Sequence, residues 1–111
     1  MNRYDAIGRL TADPDSDETP QGTSVAKMRL AVPRRRGRGG EDRGAVFVDL
    51  VAYGPLADVC SSHLAKGRQV GVVARLEQDE WQTDGGEKRS RLYLVADEVD
   101  FLDRPNGNEA S

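Results

Sequence analysis

The chain has 111 residues, with 19 acidic and 16 basic side chains, a formal net charge of −3 and a pI near 5.1. That length holds one core and not two. A single cysteine, Cys60, and a single histidine, His63, exclude an internal disulfide and a structural zinc site, leave nucleophile–base sets hard to assemble, and fit a reducing cytoplasm. No apolar run approaches the roughly 18 residues of a membrane span, and no signal-peptide core is present. The expectation is a cytoplasmic, unexported protein that makes no membrane contact, needs no cofactor and catalyses nothing.

An acidic total argues against a nucleic-acid ligand, but distribution outweighs the sum. Asp13, Asp15, Asp17 and Glu18 crowd one stretch; Asp97, Glu98, Asp100 and Asp103 crowd another. Between them Arg34, Arg35, Arg36, Arg38 and Arg43 fall within ten positions, opposed only by Glu41 and Asp42. Acid and base are segregated.

In chain order, residues 3 to 12 read as a first strand, stopped at Asp13-Pro14 because a residue before proline is pushed towards extended or turn geometry. Residues 13 to 22 read as a polar loop closed by Pro20-Gln21-Gly22. A second strand follows over residues 23 to 32, with Ala26, Met28, Leu30 and Val32 on its apolar side and Lys27 and Arg29 on the other. Residues 33 to 44 hold four glycines, five arginines and no aliphatic or aromatic side chain other than Pro33, so they cannot bury themselves and form a long hairpin loop.

Residues 46 to 53 are the densest apolar stretch and the third strand. Val46, Val48, Leu50 and Ala52 form its core side. Phe47, Asp49, Val51 and Tyr53 form the other, where an unpaired carboxylate argues for a half-open face carrying two aromatic rings. Flat rings on a sheet suit the stacking of unpaired bases. Gly54-Pro55 breaks the strand and starts a helix. Leu56, Val59, Cys60 and Leu64 make its stripe, and Lys66-Gly67 its end. Cys60 and His63 are packing residues. Residues 69 to 77 are a fourth strand, with Val70, Val72, Ala74 and Leu76 inward and Arg75 outward. A polar run leads to Trp81, and residues 83 to 88 form a turn around Asp84-Gly85-Gly86. Residues 89 to 99 are a fifth strand, with Leu92, Leu94 and Ala96 on one side and Arg89, Arg91 and Tyr93 on the other. Phe101-Leu102 packs back on the domain. The domain is expected over residues 1 to 104, with 105 to 111 a short disordered tail.

Three strands, a helix and two strands are the order of an all-β, five-stranded Greek-key barrel with one helix between strands three and four, the OB-fold, whose ligands cross strands two and three and the adjoining loops. Lys27, Arg29, Arg75, Arg89, Arg91, the loop arginines and Arg3 on the first strand are the basic candidates.

The chain resembles the bacterial single-stranded DNA-binding protein family over residues 1 to about 104. The resemblance is carried by Gly8-Arg9-Leu10-Thr11, Asp13-Pro14, Pro20-Gln21-Gly22, Val25-Ala26, Phe47, Tyr53-Gly54, Leu64-Ala65-Lys66-Gly67, Arg75-Leu76, Trp81, Gly85-Gly86 and Phe101-Leu102, in order and suitably spaced. It implies a homotetramer that wraps single-stranded DNA by base stacking and basic contacts, with the principal stacking aromatics at Phe47, Tyr53 and Trp81. Four departures stand out. Arg36 occupies a further aromatic position, where a guanidinium would have to stack instead. Glu77-Gln78-Asp79-Glu80 precedes Trp81 where the family is often basic, which implies weaker or more salt-sensitive binding. Ala74 replaces a usual glycine. The sequence ends at Ser111 without the acidic, phenylalanine-tipped tail that recruits repair proteins in the family, so recruitment through the tail is not expected. The rival readings are a dimeric partner-docking or replication-restart module that binds DNA weakly, and an interaction domain with no nucleic-acid ligand.

Overall fold

The computed structural model describes residues 1 to 102. The expectation of a disordered tail falls on residues 105 to 111, outside the described residues.

The central strand is the one the sequence marks most strongly. Ala45–Tyr53 (β4) pairs antiparallel with Ser24–Pro33 (β3) from Val25↔Tyr53 to Pro33↔Ala45. The register fixes which side chains share a face. Ala26, Met28 and Leu30 join Leu50 and Ala52 inside, while Lys27, Arg29 and Ala31 join Val51, Asp49 and Phe47 outside. Leu30, Leu50 and Leu94 are almost wholly removed from water. Burying a leucine of this kind contributes about 1.5–3 kcal/mol.

Tyr4–Leu10 (β1) closes the barrel. It pairs with Gln69–Gln82 (β5) along its length and with β3 at Arg9↔Ala31 and Leu10↔Leu30. Gly8 stands at this closure. A Cβ there would lie 2.7 Å from the Ala31 carbonyl oxygen, so any larger residue would force the two strands apart. Lys88–Phe101 (β6) pairs antiparallel with β5 and parallel with β4 at Leu50↔Leu94 and Val51↔Val95. The helix Pro55–His63 (α1) lies between β4 and β5, with Ala57 and Cys60 buried. Five long strands closed through β1–β3, with this helix between the third and fourth of them, are the OB-fold.

The structure departs from the sequence reading in four places. The polar stretch before β3 contains a short strand, Asp15–Glu18 (β2), which pairs with β3 at the sheet edge. Backbone pairing to β3 supplies what aspartate and serine lack in strand propensity. The helix ends at His63 with Leu64 extended, before Lys66-Gly67, which forms a separate turn. β5 and β6 both run on through the stretch read as polar connection, so Trp81 belongs to a strand paired with Arg89. The core assignment also shifts. Leu76 and Leu92 are 45 % and 58 % exposed, because the β5–β6 hairpin projects beyond the barrel. Val46 is exposed, whereas Val51 is buried from the outer side. Phe101 and Leu102 both stay exposed, so the end of β6 packs back only in part: the Phe101 ring lies 6.0 Å from that of His63, and the Leu102 amide donates to the Gln69 carbonyl.

Candidate nucleic-acid interface

Strand alternation and register place most of the sequence-derived candidates on one surface. On β3 and β4 the outward residues are Lys27, Arg29, Phe47, Asp49, Val51 and Tyr53. The β5–β6 pairing continues it, with Arg75↔Val95, Glu77↔Tyr93, Asp79↔Arg91 and Trp81↔Arg89. Phe47, Tyr53 and Trp81 are 54 %, 43 % and 47 % exposed. Large rings so accessible on a folded sheet leave apolar area open on this surface.

The stem of the β5–β6 hairpin leans over the face of β3 and β4. A groove of about 340 Å³ lies between them, bounded by Lys27, Val51 and Tyr53 on one wall and by Asp79, Arg91 and Tyr93 on the other. Asp17, Glu18 and Thr19, from β2 and the turn after it, close one end. Val51, buried on the outer side of β4, lines the groove, a role that alternation alone did not assign to it.

The cations of this surface are mostly paired. Arg29 Nη1 donates to Asp49 Oδ1 at 3.0 Å, and its guanidinium carbon lies 5.7 Å from the centre of the Phe47 ring. Arg75 bridges Glu77 at 3.1 Å and Asp97 at 2.8 Å. Arg89 reaches Glu87 at 3.4 Å. The Arg91 guanidinium sits 5.3 Å from the Tyr93 ring centre, and the Tyr93 hydroxyl donates to Asp79 Oδ1 at 3.3 Å. Desolvation, then the neighbouring Asp79 carboxylate, pushes the Tyr93 phenol above its ordinary value. Arg3, just ahead of β1, pairs with Asp5 at 3.0 Å. Continuing the β1–β5 register brings it beside Arg75, away from Phe47 and Tyr53.

Arg34, Arg35 and Arg36 rise from the end of β3, in the loop that returns to β4. The loop is cross-braced at its base, where the Arg34 amide donates to the Gly44 carbonyl, and at its tip, where Arg36 Nη1 donates to the Gly40 carbonyl at 3.1 Å. Among the described residues, Arg34, Arg35, Arg36, Arg38 and Arg43 form no ion pair. Within the described residues no close carboxylate compensates them. The same holds for Lys27 and Arg91 on the sheet.

Asp79, from the acidic stretch expected to weaken binding, lines the groove. What the sequence reading missed is that the polar stretch before β3 brings acids there too, since β2 pairs with β3 at Asp15↔Lys27 and Asp17↔Val25 and sets Asp17 and Glu18 at the groove. The alternation Asp15-Ser16-Asp17 was the available signal.

No helix among the described residues is long and apolar enough to cross a membrane. Among the same residues, no group of three or more His, Cys, Asp or Glu side chains is arranged to hold a metal ion.

The sequence matches the model of the single-strand binding protein family over residues 1 to 102. It is 37 % identical to "Single-stranded DNA-binding protein 3" of Clostridium acetobutylicum, over 100 % of this chain and 77 % of that protein. Identity is also 37 % to the "Single-stranded DNA-binding protein" of Clostridium tetani, over 96 % of this chain and 73 % of the relative. The protein of that name from Aquifex aeolicus is 37 % identical over 98 % of this chain and 75 % of its own length. With the barrel closed as described and the match running through nearly all of it, this chain belongs to the single-strand binding protein family.

Proposed function

We propose that this chain binds single-stranded DNA with no required sequence and protects it during replication, recombination or repair, as a binding protein and not an enzyme. The observation that carries the reading is the placement of Phe47, Tyr53 and Trp81, all exposed, on one surface bordered by the arginine loop. Every base has a flat face, so rings on a sheet accept any sequence, and cations alongside track the backbone. Phe47, Tyr53 and Trp81 are the stacking platforms. Arg34, Arg35 and Arg36 meet phosphates from the loop, and Lys27, Arg29, Arg75, Arg89, Arg91 and Arg3 meet them from the sheet. Residues 1 to 104 form the binding domain.

The functional unit is a homotetramer working in the cytoplasm on nucleoid DNA. Ile7, Leu76 and Leu92 support the assembly, being apolar and largely exposed on a barrel whose one helix covers only part of it. Light scattering should return four times the 12.1 kDa chain mass. A stable monomer would refute the tetramer, and a dimer that binds DNA weakly would favour a partner-docking module. DNA binding itself is tested by gel retardation of single-stranded and duplex probes of one length at low salt. Retardation of the single strand alone is expected. Failure to retard either probe would refute the reading in favour of an interaction domain without a nucleic-acid ligand.

A further inference from the structure

We infer that Asp49 makes one subsite of this surface prefer cytosine to thymine. The inference rests on the single-stranded DNA reading above and adds to it a base-edge preference that stacking alone would not produce. Asp49 stands on the outer side of β4, two residues from Phe47 and four from Tyr53, with its side chain 39 % exposed. It lines a depression of about 130 Å³ together with Lys27, Val51 and Arg91. Room of that size takes the edge of one base. Asp49 is the sole side-chain acid bordering it, and Lys27 and Arg91 supply its donors.

The carboxylate is held in place and still has capacity to accept. Arg29 grips it through Oδ1 alone and at the same time lies against Phe47. A carboxylate offers about four lone-pair sites, so Oδ2 and the second pair of Oδ1 stay available. Cytosine and thymine have nearly the same outline and differ in polarity at ring position 4, where cytosine bears an amine donor and thymine a carbonyl acceptor. A base on Phe47 with that position towards Tyr53 brings it to Asp49. The carboxylate accepts from the cytosine amine and repels the thymine carbonyl. Asp49 thus selects between two bases that stack alike.

The test is competition of unlabelled oligo-dC and oligo-dT, equal in length, against one fluorescent single strand, using the full chain and Asp49→Asn. Asparagine keeps the shape, and its amide can both donate and accept, so it serves either base. The ratio of dC to dT affinity is the readout, because removing a negative charge should tighten binding to all strands. The substitution should lower that ratio by roughly three- to tenfold, the scale of one charge-assisted hydrogen bond at a half-exposed site. A ligand-side arm needs no protein variant: oligo-dC dimethylated at the exocyclic amine has no donor there, and should lose its advantage on the unsubstituted chain. Equal ratios for the two proteins, or full retention of the advantage by dimethylated dC, would reduce Asp49 to the counter-ion of Arg29. If the unsubstituted chain bound neither strand, the single-stranded DNA reading would fall as well, an outcome separate from binding both with no preference.

Discussion

The arginine loop and the sheet face from which it rises carry the same guanidinium group in opposite electrostatic settings. On the sheet, Arg29, Arg75 and Arg89 each lie against a carboxylate within 3.4 Å, while Arg91 forms no ion pair with a described residue and lies on the Tyr93 ring. In the loop, five arginines, residues 34, 35, 36, 38 and 43, form no ion pair with a described residue. A paired arginine must exchange its carboxylate for a phosphate and gains little by doing so, whereas an uncompensated one adds its whole charge to the attraction. The formal charge of −3 therefore says little about DNA. The loop should govern affinity and its dependence on salt, and the sheet should supply stacking surface and register.

The largest effect should come from removing the loop's charge. Arg34→Ala, Arg35→Ala and Arg36→Ala together should reduce the slope of log affinity against log salt by about 2, at about 0.7 per phosphate contact on single strands. Near 0.1 M salt that is roughly a hundredfold loss of affinity, the same for every sequence. A triple variant with the parent's slope would show the loop to be solvated and idle. Next in size is stacking. Trp81→Ala should weaken binding by about 1–3 kcal/mol, the usual worth of one stacked base, and leave the salt slope unchanged. A change of slope without a change in stacking would break the division between loop and sheet.

Smaller again is the release of a paired cation. Glu77→Gln with Asp97→Asn frees Arg75 and should tighten binding by about 0.2–1 kcal/mol for each exposed pair broken, with a slightly steeper slope. Unchanged binding in a salt titration would mean that Arg75 never meets DNA.

The smallest effect lies inside the barrel, where the contrast should not reach. Cys60 is wholly buried, and burial pushes its thiol up from 9.0 to about 11. The folded state thus holds this proton more tightly than the unfolded chain. Its contribution to stability is complete below pH 9 and is lost as pH rises towards about 11. Urea melts across that window should show a decline that Cys60→Ala flattens, with DNA affinity at neutral pH unchanged.

Much of this was legible in the sequence, for identifiable reasons. The alternation through β3 and β4 yields both faces, since a side chain one position along a strand lies on the opposite side. It therefore set Lys27, Arg29, Phe47 and Tyr53 together before any pairing was known. Leu76 and Leu92 misled because alternation states which side a residue faces and not whether the barrel extends that far. β2 was hidden because its residues are exposed and polar, and it exists through pairing to β3. The neutralisation of Arg75 by Glu77 and Asp97 was hidden too. Asp97 lies 22 positions away and reaches Arg75 only through the β5–β6 pairing, next to its register shift.

The most direct test of the account is the emission of Trp81, the chain's single tryptophan, during titration with a single-stranded oligonucleotide and with its duplex. Saturable quenching by the single strand and no change with the duplex are expected, because only an unpaired base can lie on the ring. Emission unaltered at saturating single strand, with binding confirmed by retardation in a gel, would remove Trp81 from the interface. Equal quenching by both forms would contradict the assignment of this surface to unpaired bases.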